Sequence, residues 1–176
     1  MAESSSRVRA IGYTEELEEA ASRLVTMLEG CSPVEWRSAG PKGSHSVGLR
    51  AHCLALNFAT ATALIAVMAS GGSLPHGTTD ALHASAAPPA AAPALSDPAE
   101  TIDLLRTTAA AVGQVIAGMS DERLARADPG TLLDGQAASA ELLIEKLVLG
   151  PLHDSLAAIQ AAIRGAPRTP GGIGKI

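Results

Sequence analysis

His52 and His153 are the two histidines that fall inside stretches reading as helix, "SVGLRAHCLALNF" and "ELLIEKLVLGPLHDSLAAIQAAI". Neutral imidazole is a common transition-metal ligand, and facing helices of a bundle are a usual place to build such a site. His52 follows Ala51 and His153 follows Leu152, both on apolar stripes, so each sits at the edge of a core-facing side. His45, His76 and His83 read as loop residues. A catalytic zinc takes three protein ligands and keeps one position open. A third ligand is expected one turn from His153, but those positions hold Leu149 and Ala157. Asp154, Glu145 and Cys53 are the substitutes at hand. Their directions are poor: Glu145 is two turns from His153, and Cys53 points about 100° round the helix from His52. The alternative is a pair of unrelated histidines, each hydrogen-bonded or half exposed.

The elements that position these residues follow from apolar spacing. Thr14 and the acidic Glu15, Glu16 and Glu18 suit a helix start, and Leu17, Ala21, Leu24 and Leu28 form one stripe. The spacing predicts a first helix over about 14–29, stopped by Gly30. A loop, "CSPVEWRSAGPKGSH", leads to Ser46, a cap for a second helix over about 46–70. Val47, Ala51, Leu54, Phe58, Ala61, Ile65 and Met68 keep a heptad spacing along it. Ser96 or Asp97 caps a third helix with Pro98 in its first turn, carrying Ile102, Leu105, Ala109, Val112 and Ile116 up to Gly118. The fourth helix is expected over about 136–164, with Leu142, Leu149, Leu152, Leu156, Ile159 and Ile163 broadly on one face. Pro151 lies inside it and removes a backbone hydrogen bond, so a kink near Leu147 is expected. The fold class is therefore all-α: a four-helix bundle over 14–165, with a leader over 1–13 and a flexible tail over 166–176. Residues 71–96, rich in Ala, Pro and Gly, form a long crossover between the second and third helices.

Composition narrows the function classes. Of the residues, 47% are hydrophobic but only 2% aromatic, so the core is built from Leu, Ala, Ile and Val. Strand-like alternation is absent, which argues against a sheet. The formal net charge is -5 and no segment is strongly basic, which argues against a nucleic-acid partner. The longest apolar run, Cys53 to Ala69, is interrupted by Asn57, Thr60 and Thr62 and falls short of the roughly 20 residues of a membrane span. The N-terminus has no apolar signal core, and a cytoplasmic protein is expected. Cys31 and Cys53 are expected as free thiols, Cys31 unreactive near a helix C-terminus. Neither "GPKGS" nor "GGIGK" has the spacing or setting of a phosphate-binding loop. Apolar surface left over from one bundle predicts a homodimer.

The stretch "EWRSAGPKGSHSVGLRAHCLALNFATATALI" resembles the second-helix region of the DinB-like bundle proteins, which include thiol-dependent maleylpyruvate isomerases. It has a tryptophan-containing turn, a capping Ser followed by Val, and a histidine two turns into the helix. "ELLIEKLVLGPLHDSLAAIQAAI" resembles their last bundle helix, and the resemblance covers about 14–164. It implies a four-helix bundle holding a divalent metal, zinc or nickel, through three residues. His52 matches the second-helix ligand and His153 the second of an i, i+4 pair on the last helix. The first of that pair falls on Leu149, so the chain departs from the pattern at a ligand. Two functions follow as expectations. One is a metal- or thiol-dependent transferase or isomerase acting on a small molecule. The other is a non-catalytic bundle that binds a small ligand or partner without the metal.

Overall fold

The computed structural model describes residues 6–39, 45–74, 97–133 and 136–166. The start of the expected leader, most of the 71–96 segment with His76 and His83, and the tail from 167 lie outside the described residues. The chain is mostly helical, with one small two-stranded sheet. In order, the elements are α1 (Val8–Glu29), α2 (Pro33–Arg37), α3 (Val47–Ala69), α4 (Pro98–Ala117), α5 (Asp121–Ala125), β1 (Ala127–Leu133), β2 (Gln136–Ser139), α6 (Ala140–Ile144), a π-helical turn (Glu145–Leu149) and α7 (Gly150–Gly165).

Helix α1 begins at Val8, earlier than the expected 14, and Arg7 at its cap makes no side-chain capping bond. Tertiary contacts hold this end instead. The Asp121 N–H donates to Ser6 O at 2.8 Å, and the Arg9 N–H donates to Asp121 Oδ1 at 3.0 Å. The Thr14 hydroxyl, free of a capping role, donates to Ala10 O at 2.8 Å. The loop after α1 contains α2, which Ser32 opens with a complete capping box to Glu35. The Ser-x-x-Glu spacing announces this turn in the sequence. Helices α3 and α4 follow the expected bounds: Ser46 caps α3 through Leu49 N, and Asp97 caps α4 through Ala99 N and Glu100 N.

The stripes of α3 and α4 lie in the core. Val47, Ala51, Leu54, Phe58, Ala61, Ile65 and Met68 are buried, as are Ile102, Leu105, Ala109, Val112 and Ile116. Helices α4 and α7 each pack on both α1 and α3. Helix directions follow from contacts at the ends. Arg106 pairs with Glu29, so α4 runs antiparallel to α1. Arg123 Nη1 donates to Ala69 O at 3.0 Å, and Leu74 N donates to Asp128 Oδ2 at 3.1 Å. The end of α3 therefore lies beside the segment that follows α4, and α3 and α4 run in the same direction. Ser38 Oγ donates to Ala162 O at 3.4 Å and Asn57 Nδ2 to Leu147 O at 2.7 Å, so α7 runs antiparallel to α3.

By length and composition alone, α3 is long and apolar enough to cross a membrane, because its first turns extend the run read from Cys53 back to Val47. Its stripe is buried against the other helices.

The fourth helix departs most from expectation. Its expected start at 136 is a strand: β2 pairs antiparallel with β1, from Ala127↔Ser139 to Leu133↔Gln136, with an irregularity between Asp128 and Leu132. Asp128 organises this ribbon, since its Oδ1 accepts from Gly130 N at 3.0 Å while its Oδ2 ties down Leu74. Those bonds outweigh the weak strand propensity of the segment. Pro151 acts as predicted but with a specific result. Its missing N–H leaves the Leu147 carbonyl without an i→i−4 donor. The backbone widens into the π turn, where Gly150 N donates to Glu145 O, and Asn57 of α3 supplies the bond to Leu147. The extra residue shifts the phase of the stripe. Ser155 and Ala162 are buried in α7, whereas Leu156 and Ile163 are only half-buried.

Candidate ligand-binding site

The two helical histidines face different neighbours. His153 is half exposed and its Nε2 lies 3.6 Å from Glu16 Oε1 of α1. It lines a recess of about 240 Å³ on the α1–α7 seam with Arg23, Met27 and Leu156. His52 is half-buried on α3, with its Nδ1 atom buried and unbonded. Asn57 marks the side of α3 that meets the last helix, and His52 lies five residues earlier, about 140° round the axis. His153 therefore meets α1, while His52 lies on a different side of α3 from the one Asn57 marks. Leu149 is buried and turned into the core. Glu145 points to α1 through Tyr13, Asp154 is exposed, and Cys53 is half-buried. Among the described residues no three or more His, Cys, Asp or Glu side chains are grouped to hold a metal ion.

Both cysteines are free thiols. Burial pushes the Cys31 thiol up from its ordinary value, and the nearby Glu35 charge adds to the rise. Burial also raises Cys53, partly offset by Arg50. Neither is poised as a thiolate near neutral pH.

A polar cluster clamps the start of α1 to α6. Arg9 Nη1 donates to Glu141 Oε1 and Oε2 at 3.0 and 2.9 Å. The Tyr13 hydroxyl lies 3.0 Å from both Glu141 Oε1 and Glu145 Oε1. Burial, followed by these two carboxylates, holds the Tyr13 phenol well above its ordinary value. A raised folded-state pKa means that unfolding releases a proton at high pH. The stabilisation is complete below the ordinary phenol pKa of about 10 and is lost as pH rises beyond it. Tyr13→Phe is therefore expected to flatten the decline in urea midpoint between pH 9 and 11. An unchanged decline would show that other groups cause it.

A groove of about 470 Å³ lies between α1 and α4. Leu17, Ala21 and Val25 form one wall and Ala109, Ala110 and Gly113 the other, with Glu18 and Arg106 at its edges. Small side chains on α4 leave the space, and Gly113 would place a Cβ only 3.6 Å from Leu17 Cδ2. The groove was not legible in the sequence, because it needs two separate helices to face each other. The one sequence signal is the run of small residues on the outer face of α4. Comparison of the chain with protein-family models, characterised proteins and solved structures finds no match.

Proposed function

We propose that this protein is a DinB-like four-helix bundle, with a long crossover between α3 and α4, that works as a metal-free binder of a small apolar molecule. The groove between α1 and α4 carries this reading. Its volume of about 470 Å³ lies within the usual range of small-ligand sites, roughly 300–1,000 Å³, and its walls are mainly apolar. The parallel course of α3 and α4 supports the crossover, and the resemblance of the two quoted stretches supports the family. The direction of His153 favours binding without metal over metal-dependent transfer or isomerisation, since such chemistry needs donors that converge.

Two measurements test it. The neutral apolar probe 1-naphthol is expected to bind saturably, and Ala110→Phe, which fills the groove from an exposed position, to weaken it at least tenfold. Equal binding by the variant would remove the groove from the reading. Elemental analysis of tag-free protein is expected to find no stoichiometric zinc or nickel. Near-stoichiometric metal, lost in both His52→Ala and His153→Ala, would restore the metal-dependent enzyme.

A further inference from the structure

The recess on the seam between α1 and α7 is polar at both ends and plays no part in the groove. Three contacts fix how the two helices lie. The Tyr13 hydroxyl reaches Glu145 Oε1 at 3.0 Å, and His153 Nε2 lies 3.6 Å from Glu16 Oε1. Further along, Arg23 and Met27 of α1 share the recess with Leu156, Ala157 and Gln160 of α7. Residue numbers rise together on the two sides, so α1 and α7 run in the same direction. Arg23 is two turns beyond Glu16 and Gln160 two turns beyond His153, which brings Arg23 and Gln160 level across the seam.

The charges along this seam are not used equally. The Glu16 carboxylate already has the His153 ring beside it. The Arg23 guanidinium makes no ion pair or hydrogen bond among the described residues, whereas Arg9 and Arg106 are each held by carboxylates. Glu19, one turn before Arg23 on α1, makes no ion pair with it among those residues. One turn past Gln160, Arg164 Nε donates to Gln160 O at 3.3 Å, so a second guanidinium belongs to the same end of the seam. Half-buried Met27 and Leu156, with the small Ala157, supply the apolar wall of the recess.

We infer that this recess is a second binding site, for a small organic monocarboxylate held by its charged end at Arg23 and by its apolar body at Met27 and Leu156. A guanidinium presents two parallel N–H donors that match the two oxygens of a carboxylate. The Gln160 amide adds an uncharged donor at the same level. Glu16, at the His153 end, repels a second acidic group, which selects one carboxylate over two. The volume of about 240 Å³ lies below the usual range of small-ligand sites, roughly 300–1,000 Å³, and limits the body to a small one. The recess shares no lining residue with the α1–α4 groove and does not depend on it.

Met27 lines the recess and not the groove, so its methyl group reports this site alone. Full-length protein labelled at its methionine methyls is titrated with benzoate, and Met27→Leu assigns the Met27 resonance. The aromatic ring of benzoate is expected to shift that resonance saturably. Benzamide, of the same shape without the charge, is expected to bind at least tenfold more weakly. Arg23→Gln, a change at an exposed position, is expected to weaken benzoate at least tenfold, and Ala157→Phe, which fills the recess, to abolish the shift. A shift that stays linear in benzoate would overturn the site. Equal binding of benzamide, or displacement of benzoate by a lower concentration of inorganic phosphate, would overturn the ligand class. Undiminished binding by Arg23→Gln would remove Arg23 as the anchor.

Discussion

Gly48→Ala is expected to destabilise the protein by about 2 kcal/mol or more. In an ordinary helix the same exchange adds about 1 kcal/mol of stability through propensity. Here the new methyl would lie 2.3 Å from Trp36 Nε1 and 2.5 Å from Cε2, far inside contact distance. The indole is packed and only 4% exposed, so it has nowhere to retreat within the core. Overpacking of this kind costs about 1–3 kcal/mol and sometimes more, and it outweighs the propensity gain. For a chain of this size the loss lowers the melting temperature by roughly 4–8 °C. The lone tryptophan reports the cause: its emission should move to the red as the ring is pushed towards water. Pairing the change with Trp36→Phe should recover part of the loss. A stable Gly48→Ala protein with unchanged emission would mean that the indole does not lie over this glycine.

The second large effect couples Asn57 with Pro151. Asn57→Leu leaves the Leu147 carbonyl without its 2.7 Å partner, at a cost of about 1–3 kcal/mol. Pro151→Ala restores an N–H four residues after Leu147, so that the last helix can make this bond itself. In that background Asn57→Leu should cost at least about 1 kcal/mol less, measured by urea unfolding of the four proteins of the cycle. Additive effects would mean that the π turn is held by packing rather than by the missing proline N–H. Gly150 fixes the other side of the same turn, since a Cβ there would sit 3.0 Å from Glu145 O.

The local pattern by itself determined a helical chain, the bounds and caps of α3 and α4, and the buried faces of both, because heptad spacing, Ser46, Asp97 and Pro98 act within one helical turn. It also located the disturbance near Leu147, since a proline always removes the bond four residues back. Tertiary structure decided the rest. The early start of α1 depends on Ser6 and Arg9 meeting Asp121 more than a hundred residues away, and no local signal carries that. The ribbon at 127–139 depends on Asp128 reaching Leu74. The inserted π residue turned the stripe of the last helix, which buried Ser155 and Ala162 in place of Leu156 and Ile163. The histidine pair was legible as residue types on helices, but spacing says nothing of which neighbour each face meets. His153 meets Glu16 of α1, a neighbour no spacing announces, because position round a helix acquires a meaning only once the other helices are in place.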